Sequence, residues 1–392
     1  MSKFISLTHW LLVLMMLVSE ELAEGRTISN SVNKAIIKTI KAENEEIIDC
    51  YDIYKQPSLN HPLLRNHTIQ MKPSLYPEGM ESGNLGTLQL TQTWHHYGSC
   101  PKRTVPLRRK GKNYNPTPSR KHHRIKQSHY NKTPNTSQQS NFQNIHEYAT
   151  IEARGNFLGA QAKINLWKPV IETQAELSLS QIWVVAGDGK ETIETGWIVD
   201  RLVYSDYETR FFVFWTVDGY KKLFCYNDEC DAFVHTSSSI ALGCSFTELS
   251  TFNGDQKDAT FSIHKDRSNG NWWVQLQGEP IGYYPNSLFT ELSRKATAVQ
   301  WGGEIVNTKS KGRHTTTQMG SGHFPSEGGL KTSSYFNWVQ VVDETYMTMD
   351  PKDFSIQTTN SDCYDLKIDD DHHDTNGFGF YYGGPGYNEK CQ

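Results

Sequence analysis

The sequence predicts an all-β domain, an antiparallel two-sheet β-sandwich of the jelly-roll type, preceded by a small α+β leader. From residue 147 onward the chain consists of short runs of aromatic and β-branched residues separated by Gly, Asp and Asn. Several runs, at 181–185, 211–216 and 271–276, are almost continuously apolar, which is typical of central strands covered on both faces. No long helix is predicted there, and the best short candidate spans residues 285–295.

The leader region has a different pattern. Residues 29–49 predict a helix, because Ser29 and Asn30 offer N-caps and isoleucines such as Ile36, Ile40 and Ile47 recur at helical intervals. Proline-rich turns follow. The leader is therefore expected to combine one helix with short extended segments.

The first 23 residues predict a signal peptide. Lys3 precedes nine apolar residues, 10–18, and polar residues follow at once. Nine residues suit the apolar region of a signal peptide, whereas a membrane-spanning helix needs about 20. We expect cleavage near Ala23 and a soluble product without a membrane partner, exported to the extracellular space, the apoplast or a vacuole-like acidic compartment.

Seven cysteines fit an oxidising compartment. Cys225 and Cys230 are close enough to close a small loop, although two neighbouring cysteines are also half of a zinc site. Cys363 and Cys391 could tether the C-terminus. The odd total leaves one thiol over, for which Cys244 is the candidate. Three sequons predict glycosylation, at Asn66, Asn131 and Asn135.

Charge divides the chain into two parts. Residues 1–146 hold 19 basic and 10 acidic side chains, whereas residues 147–392 hold 20 and 33. The basic residues concentrate between 102 and 132, among prolines that include Pro116 and Pro118, with Pro134 just beyond. Such a stretch reads as an exposed linker. Nucleic-acid binding is disfavoured, because the protein is expected to be exported and the run lacks interleaved aromatic residues.

Common catalytic signatures are missing from the sequence. It has no Gly-x-Ser-x-Gly elbow and no His-Glu-x-x-His helix. Two glutamates, Glu194 and Glu304, lie in strand-like segments flanked by Trp197 and Trp301. A strand glutamate usually faces solvent, so the spacing alone leaves their role open. The tryptophans could line a cleft or pack in the core.

An ordered set of motifs resembles the plant neprosin family. The motifs lie at residues 176–183, 193–197, 225–230, 270–273, 299–304 and 380–386, and residues 49–64, 94–101 and 104–109 resemble the activation peptide of that family. The resemblance covers nearly the whole chain except the basic linker. Cys244 departs from the expected pattern, and the linker is longer and more basic than expected.

The resemblance implies a β-sandwich endopeptidase that is made as a zymogen, works at acid pH and cleaves on the C-terminal side of proline. It implies Glu194 and Glu304 as the catalytic pair, and disulfides between Cys225 and Cys230 and between Cys363 and Cys391. The expected organisation is a propeptide at 24–105, a linker with the processing site at 106–146 and a catalytic domain at 147–392. The propeptide is expected to act as an intramolecular inhibitor, proline-containing peptides or proteins are the expected substrates, and no cofactor or metal is expected.

Two carboxyl groups held close together share a proton at acid pH, so that one activates water and the other acts as an acid. The sequence does not assign these roles. One alternative is a non-catalytic extracellular β-sandwich that binds cell-wall carbohydrate through tryptophan rings. A glycosidase, which also uses paired carboxylates, is a less favoured alternative.

Overall fold

The structure, a computed structural model, describes residues 35–43, 46–80, 92–109, 145–371 and 373–392. The predicted signal peptide and nearly all of the basic linker lie outside these residues. Among those described, no helix is both long and apolar enough to cross a bilayer. The strands are β1 Ile36–Lys41, β2 Ile47–Asp52, β3 Thr104–Arg108, β4 Ile145–Phe157, β5 Gly159–Asn165, β6 Leu177–Ala186, β7 Glu191–Asp200, β8 Arg210–Thr216, β9 Phe224–Tyr226, β10 Val234–His235, β11 Asp258–Lys265, β12 Trp272–Leu276, β13 Glu279–Tyr284, β14 Ala296–Asn307, β15 Ser334–Val342, β16 Thr348–Met349, β17 Phe354–Thr358, β18 Asp365–Ile368 and β19 Phe380–Gly383.

The helices are short. Two single α-helical turns lie at Arg201–Tyr204 and His373–Asn376, and 3-10 turns lie at Ile53–Lys55, Pro57–Asn60, Pro62–Leu64, Thr93–Tyr97, Asn286–Leu288 and Pro325–Glu327. The helix considered for residues 285–295 is thus reduced to one 3-10 turn. Pro285 precedes that turn with an extended backbone, and Phe289 after it is extended again.

The leader is a three-stranded antiparallel sheet in the order β1-β2-β3. The helix predicted over residues 29–49 is wrong from Ile36 onward, because β1 and β2 form a hairpin there. The isoleucines that suggested helical periodicity are β-branched residues, which pack well on a pleated sheet. A disulfide between Cys50 and Cys100 ties β2 to the segment before β3, and β3 extends to Arg108.

The remainder of the chain forms the predicted sandwich of two antiparallel sheets. One has seven strands in the order β17-β4-β14-β6-β7-β8-β9. The other has nine, in the order β10-β13-β12-β11-β5-β15-β19-β18, with β16 paired to β15. The expectation of an all-β, antiparallel two-sheet fold is confirmed.

The main core lies between these two sheets. Trp197 and Trp301 of the seven-stranded sheet meet residues such as Phe261 and Trp272 of the other sheet, and all four side chains have no exposed surface. Burying an aromatic side chain of this size contributes about 2–3 kcal/mol. The tryptophans that flank the two glutamates therefore belong to the core and do not line a cleft.

The leader docks on the outer face of the nine-stranded sheet and on its β10 edge. Leu64 packs against Trp273 and Tyr283, and the Gln56 side chain pairs with both backbone groups of His235. Further along, Ser74 donates two hydrogen bonds to Asp266. These contacts lie on the side of the sandwich opposite the outer face of the seven-stranded sheet. The leader also reaches the β8 side of that sheet, where Glu46 pairs with Arg210 at 2.7 Å and the Arg108 guanidinium lies over the Tyr204 ring.

Candidate functional site

Glu194 and Glu304 lie on the outer face of the seven-stranded sheet, with β6 between their strands. In the register, Trp183 of β6 is opposite Glu194 and Leu179 is opposite Glu304. Side chains alternate between faces along a strand, so residues 179, 181 and 183 share one face with both glutamates. Trp197, at an odd spacing from Glu194, turns inward. The sheet thus brings the sequence-predicted pair to a common surface.

Gln181 occupies the position between the two glutamates. Its neighbours across the strands are Gly196 and Gly302, and a Cβ at either glycine would collide with the backbone of an adjacent strand. The Gln181 amide donates to Glu194 Oε2 at 2.9 Å, while its own Oε1 is buried without a hydrogen-bond partner. No hydrogen bond joins the two glutamates in the described part of the chain. The directly shared proton expected from the sequence is replaced by a pair with an amide between them.

Glu194 is held by neutral donors. Its Oε1 accepts hydrogen bonds from the Tyr220 hydroxyl at 2.6 Å and the Thr192 hydroxyl at 2.7 Å, in addition to the bond from Gln181. The residue is 3 % exposed. Burial raises the pKa of Glu194 to about 7, the charge of Glu304 adds to the rise, and the three donors oppose it. This carboxyl group is therefore protonated throughout the acid range.

Tyr220 reaches Glu194 from a tight loop. Gly219 and Tyr220 have φ values of 67° and 60°, in the left-handed region. Asp218 fixes the loop by accepting backbone hydrogen bonds from residues 221–223, and the Tyr220 ring stacks on Phe214 of β8 at 5.8 Å. The donor to Glu194 is thus preorganised by the loop and by the sheet.

Glu304 has a different environment. Its Oε1 lies 2.5 Å from Nδ1 of His146 on β4, and the Tyr148 hydroxyl of the same strand also hydrogen bonds to it. The side chains of His146 and Glu304 are 5 % and 7 % exposed. Within the described residues, His146 is the only basic side chain at ion-pair distance from either glutamate.

Three tyrosines surround the pair. Burial raises the pKa of Tyr148, Tyr220 and Tyr226 well above 10, and nearby carboxylates contribute in each case. Glu194 contributes to all three rises, and Glu304 to those of Tyr148 and Tyr226. The hydroxyls therefore remain protonated and act as hydrogen-bond donors toward the space between the glutamates.

The cysteines pair as the sequence indicated. Cys225 bonds to Cys230 and Cys363 to Cys391, in addition to the leader disulfide. Cys244 is free and buried. The Cys225–Cys230 disulfide closes the segment after β9, next to the Tyr220 loop. The only candidate metal group among the described residues consists of His314, Cys363 and Cys391. Its two cysteines form a disulfide with each other and therefore have no thiolates to offer as ligands.

Of the three predicted glycosylation sites, Asn66 is exposed on the leader. Asn131 and Asn135 lie outside the described residues, as do Pro116, Pro118 and Pro134. The described part of the leader has no hydrogen bond or ion pair to either glutamate.

Sequence reasoning did not assign roles to Gln181, Tyr220, His146 and Tyr148. Gln181 lies in a motif that carried the family resemblance, which was a usable signal. The other three reach the glutamates through strand pairing or a loop, and their spacing in the sequence gives no indication of this.

Family comparison places these observations in context. The family described as Neprosin matches residues 174–385, and the Neprosin activation peptide matches residues 39–152. The chain belongs to the neprosin family. Glu194, Glu304 and the disulfide Cys225–Cys230 fall within the first match, and Cys391 lies six residues beyond its end, whereas His146 and Tyr148 precede it and lie in the second.

Among solved structures, the chain is similar to scytalido-glutamic peptidase with a peptide-based transition-state analogue, at 12 % identity and a TM-score of 0.35. That alignment covers 62 % of this chain and 99 % of the other. SCP-B, of the eqolisin family of peptidases, in a complex with the tripeptide Ala-Ile-His, aligns at 12 % identity and a TM-score of 0.34, over 62 % of this chain and 99 % of the other.

Proposed function

We propose that the chain is a secreted glutamic endopeptidase, made as a zymogen, that works at acid pH and cleaves on the C-terminal side of proline. One observation carries the proposal: two buried glutamates share one sheet face, and each is held by its own donors. Burying a carboxyl group costs free energy, and carboxyl groups with perturbed pKa values cluster at functional sites. Glu194 and Glu304 are proposed as the catalytic pair, without a cofactor.

The placement of the two carboxyl groups on either side of Gln181 suits hydrolysis. A water and a peptide bond placed over Gln181 would meet one carboxyl group on each side. One glutamate takes the proton of the attacking water, and the other donates toward the carbonyl oxygen or the leaving nitrogen. The Tyr148 and Tyr220 hydroxyls and the Gln181 amide are hydrogen-bonded to the glutamates, so they hold the two carboxyl groups in place for this step.

The preference for proline rests on the family resemblance. Trp183 lies on the glutamate face between Glu194 and Gln300 in the register. It is only 5 % exposed and packs among apolar neighbours, so it supports the glutamate face and is not an open platform for a proline ring.

Latency and processing follow from the organisation of the chain. The segment between β3 and β4 holds Pro116, Pro118 and Pro134, and β4 begins one residue before His146 beside Glu304. We propose that the propeptide acts as an intramolecular inhibitor and that the enzyme cuts this connector. The predicted signal peptide, the three disulfides and the sequons support secretion.

The test is the cleavage of a proline-containing peptide at acid pH by Glu194→Gln and Glu304→Gln. Each variant keeps the size of the side chain and removes its acid–base function, so we expect kcat to fall about 10³-fold. Glu248→Gln is the matched control, because the Glu248 side chain is 58 % exposed and pairs only with Lys257 at the surface. Full activity in both single variants would refute the proposal.

The same preparations test processing. Sequencing the N-terminus after acid incubation should find the wild type cut within the connector and both glutamine variants intact. An active enzyme that retains the entire leader would contradict the zymogen part of the proposal.

Carbohydrate binding is less well supported. Among the described tryptophans, only Trp338 is exposed, at 43 %, and the others are buried. A sugar platform needs several accessible rings, which this surface lacks within the described residues.

A further inference from the structure

The two glutamates differ in the chemistry of their partners. Glu194 accepts hydrogen bonds from two hydroxyls and an amide, and none of these groups changes charge in the acid range. Glu304 is bonded to an imidazole, the side chain whose charge changes between pH 5 and 8. The site is therefore electrostatically asymmetric, although its two central residues are identical.

The position of His146 is fixed by the sheet. In the register, His146 is opposite Val306 and Tyr148 is opposite Glu304, so both β4 side chains point to the glutamate face. The His146 ring lies 19° from parallel to the Tyr148 ring, at a centroid distance of 6.4 Å. An imidazole held between strand pairing and a stacked ring has few alternative rotamers, so its contact with Glu304 is preorganised.

We propose that His146 is a positioning residue that holds Glu304 in its carboxylate form, so that Glu304 is the general base and Glu194 the general acid. The inference rests on the proposed function. In acid the imidazolium forms a charge-assisted hydrogen bond to the carboxylate, and such bonds are stronger than those between neutral groups. Protonation of Glu304 would break this ion pair, whereas protonation of Glu194 only neutralises a charge buried among neutral donors.

The other titratable groups around His146 do not substitute for it. Tyr148, Tyr220 and Tyr226 surround the carboxyl groups but stay neutral. On β4, Glu152 shares the same face but pairs with Arg154. The raised pKa of Glu194 agrees with the assignment, because a general acid must carry its proton in the acid range.

The proposal constrains processing. His146 must remain in the mature enzyme, so the connector has to be cut before residue 146. Pro134 is the last proline before β4, which places a cut after proline 12 residues upstream of His146. The N-terminus of the active enzyme must therefore lie at or before residue 146.

The experiment compares His146→Gln with the wild type after acid activation of the full chain, on a quenched fluorescent proline-containing peptide. Glutamine still donates a hydrogen bond but carries no charge. We expect kcat to fall about 10- to 100-fold with a smaller change in KM. We also expect the acid limb of the pH–kcat/KM profile to move about one pH unit higher, because Glu304 then takes up its proton more easily.

His314→Gln is the matched control. His314 is paired with Glu147 at 2.9 Å, on the other face of β4, with both side chains 5 % exposed. Its loss should lower the melting temperature and leave the pH profile in place. His146→Asn serves as the second variant if His146→Gln does not fold, with the same expected shift.

An unchanged acid limb in a folded His146 variant would overturn the proposal. So would a mature N-terminus after residue 146, or a His146 variant whose unprocessed form is active, since the contact would then serve latency. These outcomes differ from a failure of the proposed function, in which Glu194→Gln and Glu304→Gln would keep their activity.

Discussion

The two outer faces of the sandwich bury titratable groups of opposite kinds. The glutamate face buries carboxyl groups, of which Glu194 is held by neutral donors, and burial raises the pKa of Glu194 to about 7. On the leader-binding side, burial lowers two histidine pKa values to about 4, that of His264 on the outer face and that of His235, whose side chain turns inward behind the β10 edge. Acidification neutralises a buried charge on the first face and creates buried charges on the second.

The same pH change therefore has opposite consequences for the two faces. Two leader histidines at this interface, His67 and His95, also have a pKa lowered by burial. The basic leader and the acidic sandwich would also attract each other less in acid if carboxylates at their interface became neutral. The histidines at the interface explain a loss of docking in acid better than the carboxylate of Asp266 does. Hydrogen bonds from Ser74 keep the pKa of Asp266 below its usual range although burial opposes this, so Asp266 stays ionised in moderate acid.

The largest effect expected from this comparison concerns Cys244. Its side chain has no exposed surface and packs in a cluster whose other members, apart from Ala241, belong to the leader, including Cys50 and Cys100. Burial raises the pKa of the Cys244 thiol. Alkylation should therefore become at least about 100-fold faster once the leader has left, because the thiolate reacts and the leader shields it. Mass spectrometry of pulse-labelled zymogen and mature enzyme measures this, and equal rates would show that the leader does not cover Cys244.

The next effect tests the histidine face. His264 is buried, both of its ring nitrogens lack a hydrogen-bond partner, and the groups nearest its ring include Tyr76 at 5.8 Å and Asp266. A histidine with a pKa near 4 when docked and 6.5 when free weakens docking as the pH falls from 6.5 toward 4. The affinity should drop on the order of tens-fold between pH 7.5 and 4.5.

His264→Phe should remove that part of the pH dependence, since it fills the same space and cannot be charged. The measurement uses protein nicked in the connector, with the retention of the leader followed by gel filtration across this pH range. His96→Gln, at an exposed leader histidine, is the control. If His264→Phe released its leader at the same pH as the wild type, the leader-binding face would owe its pH response to other groups.

The smallest effect concerns the glutamate face. Tyr220→Phe removes the hydroxyl that donates to Glu194 at 2.6 Å, and this hydrogen bond lowers the pKa of Glu194. Its loss should raise that pKa further, so the alkaline limb of the activity profile should move about half to one pH unit higher, with less than about a tenfold change in kcat. Tyr335→Phe, which removes a buried hydroxyl bonded to Asp258 in the other sheet, should leave the limb in place. A shift to lower pH would contradict the role of Glu194 as the acid.

The sequence predicted what depends on local pattern and family motifs. The two-sheet fold, the two disulfides of the sandwich and the free thiol of Cys244 were expected, whereas the leader disulfide between Cys50 and Cys100 was not. The leader helix over 29–49 was not found because β-branched residues satisfied two periodicities and strand pairing decided between them. The contact between His146 and Glu304, 158 residues apart, depends on the register of β4 against β14, which no local pattern encodes.

The assignment of Trp197 and Trp301 to the core follows from the alternation of side chains along β7 and β14. Once Glu194 faces outward, a tryptophan three residues later must face inward. The same alternation along β6 places Trp183 on the same face as Gln181. The position of Gln181 between the two glutamates required the pairing of three strands, which a single sequence does not provide.

Each of the three disulfides closes within one unit, one in the leader and two in the sandwich. Oxidative folding therefore imposes no order of assembly on the two units, and no covalent bond other than the connector holds them together. A cut in the connector would therefore leave two chains that are held together by non-covalent contacts alone. Leader and sandwich are held by non-covalent contacts on both sides of the leader, among them those of Gln56 and Ser74 and the ion pair between Glu46 and Arg210.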